Sequence, residues 1–309
     1  MRSKKTRFKT KRADLAAGQA GLGARGPALL PPRSLREFDR RFKTDQACRY
    51  YLIGLRWPKG FVCRRCAGTG AWLTGRGLLH CYQCRADTSV TAGTIFHGLH
   101  LPLRTWFRAM WLLSTEGVAP EPRALQRLLG IRSYKTAWTC LGKLRRAMET
   151  ADRLLEGTVE VQAVALRLPG RAASTRRRQE RTCLVAVAVE TRPGGLGRLK
   201  LRVLADASPE ALGRFAREVS ASGTTISFGT HWKLPGPGVR RVAARLQRWL
   251  LTRVSNRLTR AQLPGFLDEF VFREGHLQSP RSGELFHLLA RHAVSLDPAP
   301  YRTRLRRQP

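Results

Sequence analysis

The 309-residue chain is long enough for about two domains, and 57 Lys and Arg against 21 Asp and Glu give it a formal charge of +36. Hydrophobic residues make up 42% of the chain, which excludes a wholly disordered basic tail. No run of 18 apolar residues occurs, which excludes a membrane-spanning helix. Such a charge repels itself in a compact state unless a polyanion neutralises it, so nucleic acid is the expected partner. GC-rich coding would explain why 47 of the 57 are Arg and only 10 Lys, but not the shortage of acids. An anionic membrane is the weaker alternative, because no amphipathic anchor stands out.

Residues 1–34 read as a disordered basic tail. Seven of the first twelve residues are Lys or Arg, and Gly- and Ala-rich sequence follows up to Pro31-Pro32. This composition cannot bury enough apolar surface to fold. Folded sequence is expected from about Ser34. The segment Thr44 to Leu55 reads as a short helix, with Cys48, Tyr51, Leu52 and Leu55 at spacings of three and four. Trp57-Pro58-Lys59-Gly60 ends it.

The most specific signal comes next. Cys63-Arg64-Arg65-Cys66 is followed after fourteen residues by Cys81-Tyr82-Gln83-Cys84. Each Cys-x-x-Cys puts two sulfurs on one tight turn, and two such knuckles make a tetrahedral four-thiolate site for structural Zn²⁺. Two short strands, Ala71 to Thr74 and Leu78 to His80, are expected around Gly75-Arg76-Gly77, the outline of a zinc ribbon over residues 35–98. Two disulfides would use the same cysteines. The opening MRSKKTRFKTKR has no apolar core behind its charges, however, so a secretory signal is not expected and a reducing compartment favours metal. His80 is read as a surface residue beside a ligand. Cys48, Cys140 and Cys183 are read as buried thiols.

From Pro102 the pattern is helical, and residues 99–150 read as a helix-turn-helix domain. Leu103 to Thr115 has a wide apolar face. Pro122 to Leu129 is a second helix closed by Gly130. Ser133 then caps a third, Tyr134 to about Met148, with Ala137, Trp138, Leu141 and Leu144 inward. A short helix, a Gly turn and a longer basic helix suit a DNA groove. Tyr134 and Lys135 stand where such helices meet base edges, and Arg145 and Arg146 where they meet phosphate. With Ser133 and the knuckle residues Arg64 and Arg65, they are the candidate DNA-contacting residues.

Residues 157–309 form the last expected domain. Strands are predicted at Thr158 to Leu168, Arg181 to Thr191 and Leu196 to Leu204, then a helix to Val219 with Ser208 as cap and Pro209 first. A fourth strand, Thr224 to Phe228, precedes helices at Val239 to Val254, Leu263 to Phe272 and Glu284 to Val294. Three strands, a helix, a strand and further helices is the order of a ribonuclease H-like domain. The expected fold class is therefore multidomain α+β: zinc ribbon, helix-turn-helix, then a ribonuclease H-like α/β domain.

RWPKGFVCRRC, HCYQCRADTSVTAGTIFHG, LGIRSYKTAWTCLGKLRRAM and LDEFVFR occur in that order. In these motifs, from about Phe38 to Arg302, the chain resembles bacterial insertion-sequence transposases of the ISXO-two-like group, in the insertion-sequence fifteen-ninety-five family. The resemblance implies a cytoplasmic, nucleoid-associated bacterial protein acting on double-stranded DNA, the terminal repeats of an element, and leaves homodimerisation open. It also implies two Mg²⁺ ions held by carboxylates, one activating a nucleophile and the other stabilising the leaving oxygen.

At the positions that match the family's carboxylates the chain departs. Gln162 stands for the first Asp and Gly229 (or Thr230, one residue on) for the second. After LDEFVFR, Glu274-Gly275-His276 replaces an Asn-Arg-Arg-like run. A neutral amide and a missing side chain cannot cage a hydrated dication. The resemblance thus implies a transposase-like DNA-binding protein without strand-transfer activity. Two alternatives stand beside it. One is an active transposase with substituted ligands, holding Mg²⁺ in a pocket rebuilt from Glu160, Asp206 and Glu269. The other is a zinc-ribbon protein that binds RNA.

Overall fold

The computed structural model describes residues 29–98, 101–115, 121–149, 154–169, 182–192, 195–229, 236–253, 258–275 and 282–298. The basic tail up to residue 28, the Arg-rich connection at 170–181, Thr230 and His276 lie outside the described residues. In chain order the elements are α1 (Leu35–Arg41), α2 (Asp45–Arg56), β1 (Ala71–Leu73), β2 (Leu78–Cys81), β3 (Asp87–Ser89), α3 (Leu103–Ser114), α4 (Pro122–Leu129) and α5 (Tyr134–Ala147). They continue with β4 (Thr158–Arg167), β5 (Thr182–Arg192), β6 (Gly195–Leu204), α6 (Pro209–Val219), β7 (Thr225–Phe228), α7 (Pro237–Arg253), a 3₁₀ turn (Arg260–Gln262), α8 (Leu263–Glu274) and α9 (Ser282–Ser295). No described helix is long and apolar enough to cross a membrane.

The chain divides into two compact units, Met1–Trp111 with Arg281–Ala299, and Leu112–Pro280 with Pro300–Pro309. In the first unit, Ser34 and Thr44 cap α1 and α2 through their side chains, each accepting an N–H three residues on. Asp45 opens α2 and also accepts the Leu103 and Arg104 N–H groups (3.2 and 3.0 Å), so one carboxylate serves two helix starts. Phe286 of α9 sits among Phe38, Phe42, Tyr51, Phe107 and Trp111, with ring centroids 5.3–6.0 Å away. The Tyr51 hydroxyl meets His287 Nδ1 at 2.6 Å. Sequence order assigns this last helix to the C-terminal domain. Its apolar face instead completes the aromatic core of the first unit, a pairing across 236 residues that no local pattern announces.

The ribbon is a three-stranded antiparallel sheet, β1-β2-β3, rather than the expected pair. Asp87-Thr88-Ser89 is too short and polar to read as a strand, yet it pairs with Leu78–His80. The segment after it carries the family-like signature. Val90, Thr94, Ile95 and Phe96 are buried. The Arg56 guanidinium donates to the Ser89, Val90 and Ala92 carbonyls. The signature is therefore a structural strap fastened to α2.

The second unit centres on a four-stranded sheet in the order β6-β5-β4-β7, with β7 parallel to β4 and the other pairs antiparallel. Period-two alternation sorts its side chains. Val159, Val161, Ala163, Ala186 and Ala188 face α6. Val164, Leu166, Val185, Val187 and Val189 face α7 and α8. The alanines allow α6 to lie close, and the valines and leucines fill the thicker layer opposite. Helices α4 and α5 also belong to this unit. They are joined through Gly130 in a left-handed turn (φ 62°) that only glycine adopts at little cost. α5 packs on α8 through a buried ion pair between Arg145 and Glu269.

Candidate metal centre and nucleic-acid interface

The two knuckles have matching backbones. The Cys63 N–H donates to Gly68 O and the Ala67 N–H returns to Cys63 O; the Cys81 N–H donates to Ala86 O and the Arg85 N–H returns to Cys81 O. Ala67 and Arg85, each one residue after its second cysteine, are left-handed (φ 58° and 61°). This conformation is strained for residues with a Cβ, and the two turns impose it.

The four sulfurs lie within 4.8 Å of one another. Cys63 to Cys84 is 3.6 Å and Cys66 to Cys81 is 3.7 Å. Zn–S bonds of about 2.3 Å require tetrahedral edges of about 3.8 Å. The donor set, the spacing and the burial fit Zn²⁺, which would be held by Cys63, Cys66, Cys81 and Cys84 in a closed structural site. Among the described residues this is the single cluster of three or more metal-binding side chains.

Backbone N–H groups of Arg65 and Cys66 draw the Cys63 thiol down to about 6. The Cys84 N–H draws Cys81 down as well, with help from Gln83. At Cys66 the Gly68 N–H pulls downward, but the neighbouring thiols and burial prevail and push it up to about 12. The remaining cysteines behave as expected. Cys48 and Cys140 are buried, and desolvation raises both to about 12. Cys183 is buried and raised in the same direction. His80, beside the ligand Cys81, is half-buried, with Nδ1 2.6 Å from Asp87 Oδ1.

Of the residues proposed to meet DNA, Arg64, Arg65, Ser133, Tyr134 and Lys135 are exposed. Ser133 takes the N-cap position of α5, although its side chain makes no capping hydrogen bond. Arg146 is half-buried and falls on the outward stripe Lys135, Thr139, Gly142, Arg146. Arg145 does not. Its Nε lies 2.8 Å from Glu269 Oε2, its side chain is only 11% exposed, and its guanidinium covers the Phe266 ring at 3.8 Å. Charge and helix position suggest a phosphate contact, but a partner 124 residues away claims the side chain.

The positions matching the family's carboxylates do converge. Gln162 is 3% exposed, on the α7 face of β4 with Glu160. A Cβ at Gly229 would fall on the Gln162 carboxamide. The Gly236 N–H donates to Gln162 Oε1 at 3.4 Å. Glu160 Oε2 accepts the Gly238 and Val239 N–H groups at 3.0 and 3.1 Å, capping α7. A carboxylate is well placed there against the helix dipole. Gly236 and Gly238 allow this approach, since a Cβ on either would lie 2.8 or 2.9 Å from that oxygen.

The other proposed remnants go elsewhere. Asp206 accepts the Ser208 N–H at 2.9 Å, and Ser208 holds its carboxyl below the usual range. It lies five residues past Leu201, which is level with Gln162 across β5. That is about 17 Å along the sheet at 3.4 Å per residue. Glu269 is fully buried and neutralised by Arg145 and Arg273. Glu160, Asp206 and Glu269 therefore do not form one pocket. Sequence reasoning overlooks Glu190, a buried β5 carboxylate gripped by Arg192 and Arg198 and by the Glu156 N–H. Its sole sequence signal is an acid inside an apolar strand.

Gln162 and Gly229 are sterically complementary. We expect Gly229→Ala to cost about 1 kcal/mol or more in the native background and distinctly less when Gln162 is Ala. Chemical denaturation of the four variants checks this, and additive effects would refute the complementarity.

A four-thiolate ribbon joined to a mixed α/β unit makes this a zinc-ribbon protein. Residues 43–87 match the family model for the transposase zinc-ribbon domain, of the insertion-sequence fifteen-ninety-five family. No curated protein and no solved structure matches the chain.

Proposed function

We propose that the chain is an insertion-sequence transposase-like protein that binds double-stranded DNA, with element terminal repeats as its target, and that its strand-transfer centre is dismantled. The observation that carries the first half is the four-cysteine ribbon with its transposase match, on a chain of charge +36. The Gly-turned pair α4–α5, with Tyr134 and Lys135 exposed at the start of the longer helix, supports a helix-turn-helix that reads a groove. The sheet order β6-β5-β4-β7 with β7 parallel to β4 agrees with a ribonuclease H-like domain.

The second half rests on chemistry at the expected metal position. A buried neutral carboxamide at Gln162 sits where Gly229 brings no side chain, and Glu160 is committed to a helix start. Two hard anionic ligands that a Mg²⁺ pair would need are missing. The protein retains a binding scaffold and acts by occupying element ends.

The test is a mobility shift on terminal repeats against random duplex at about 150 mM salt, where non-specific binding weakens by about 0.9 log unit per neutralised phosphate per log unit of salt. Preferential retention of the repeats is expected, and equal binding to both would overturn specific reading. Strand transfer with Mg²⁺ or Mn²⁺ that disappears in Glu160→Ala would overturn the dismantled centre.

A further inference from the structure

We propose that the outward face of the ribbon sheet binds unpaired nucleobases of single-stranded DNA, with Tyr82 as the stacking ring and Arg85 as the phosphate contact; this rests on the DNA-binding reading above. Alternation divides the ribbon cleanly. Ala71, Leu79 and Cys81 are buried on one face. Trp72 and its cross-strand partner His80, with Tyr82 and Asp87, lie on the other. There the rings form a row. Trp72 lies 4.3 Å from His80 and 5.0 Å from Tyr82, centroid to centroid.

The row is built rigidly. Tyr82 belongs to the second knuckle, so its backbone is set by the thiolate turn, and its N–H donates to Gly70 O at 3.0 Å. Its ring lies over Gly70, where a Cβ would come within 2.6 Å of Cδ2. Asp87 pins His80. Tyr82 is nevertheless 55% exposed. Rigid, half-exposed aromatic rings lose little entropy when a flat ligand covers them.

The surroundings are cationic. Arg85 is exposed, held left-handed by the knuckle, with Cζ 6.0 Å from the Trp72 ring. Arg65 and Arg76 are also exposed on the ribbon, whereas Arg64 turns its guanidinium toward Gly93 of the strap. The acid on this face, Asp87, is engaged by His80. The occupant must therefore be flat, aromatic and anionic. In duplex DNA the base faces are stacked away and only edges are offered, whereas an unpaired base offers its face. DNA rather than RNA follows from the ribbon's match to a transposase domain.

The experiment uses the full-length zinc-loaded protein and fluorescence anisotropy with oligothymidylate of about 16 nucleotides, random duplex and oligouridylate. Tyr82→Ala and Tyr82→Leu are expected to weaken oligothymidylate binding about tenfold. Tyr82→Phe should stay near wild type, and all three should bind duplex and zinc as wild type does. Tyr82→Leu keeps apolar bulk over Gly70 without a π-face, so it separates stacking from folding. Unchanged oligothymidylate binding in the Leu variant would overturn the proposal. So would equal losses on single strand and duplex, or tighter binding of oligouridylate than of oligothymidylate. Failure of the wild type to bind any DNA would instead sink the DNA-binding reading itself.

Discussion

Stripping the metal with a strong chelator, or replacing Cys81 with Ser, is expected to unfold the ribbon. Its strands are three, four and three residues long, at the short end of the usual range. Its interior is small, with Phe61, Cys63, Ala71, Leu79, Cys81 and Val90 buried and Ile95 and Phe96 in the strap beside it. Structural zinc supplies about 10–16 kcal/mol in small peptides at neutral pH, far more than such a core. The sign of the pH dependence follows from the thiols. Cys66 without metal holds its proton up to about 12, so zinc binding near neutrality must release it. Apparent zinc affinity then rises about tenfold per pH unit for each proton released and falls on acidification. Below about pH 6 the Cys63 proton competes as well, and the fall steepens. Zinc stoichiometry and hydrogen exchange of the Leu78–Cys81 amides, followed together through a chelator titration, measure this. Protection that survives complete metal removal would refute it.

Glu269→Gln is expected to destabilise the second unit by about 3–5 kcal/mol, because it strands two buried cations. The Arg145 and Arg273 side chains are only 11% and 16% exposed, and Glu269 is fully buried between them. Arg273 donates Nε–H to Glu269 Oε1 at 3.2 Å, and its Nη2, 3.1 Å from the same oxygen, makes no hydrogen bond and depends on the carboxylate's charge. Combining Glu269→Leu with Arg145→Met and Arg273→Met should recover much of the loss, since an apolar set needs no counter-charge. Denaturant midpoints give the comparison. The same residues settle what Arg145 does. If it only holds α5 to α8, Arg145→Met lowers stability and leaves the salt dependence of DNA binding alone. A phosphate contact would shift that slope by about 0.9.

The ribbon is legible from residues 63–84 because ligand geometry is local. Two sulfurs on one turn need only a two-residue spacer, and four thiolates in this arrangement suit a structural Zn²⁺. Period-two alternation likewise marks β4 to β6 within a residue or two of their ends, and Ser208-Pro209 marks the start of α6. β3 is missed because three polar residues carry no period, and it exists only through its pairing with β2.

Side-chain commitments were decided in three dimensions. Arg145 and Arg146 are neighbours of identical charge on one helix, yet one is locked under Glu269 and the other lies on the outward stripe. Helix phase relative to a distant partner makes that choice, and composition is blind to it. Likewise Glu160 and Glu269 read alike as spare acids. The first caps α7, which packs on its own face of the sheet, and the second neutralises Arg145 of α5 together with Arg273 one turn along its own helix. Gln162 and Gly229 read as two separate losses, but parallel pairing of β4 with β7 makes them one packed contact. Local spacing suffices for what bonds within a turn, whereas the fates of Arg145 and Glu160 depend on elements brought together from 124 and 78 residues away.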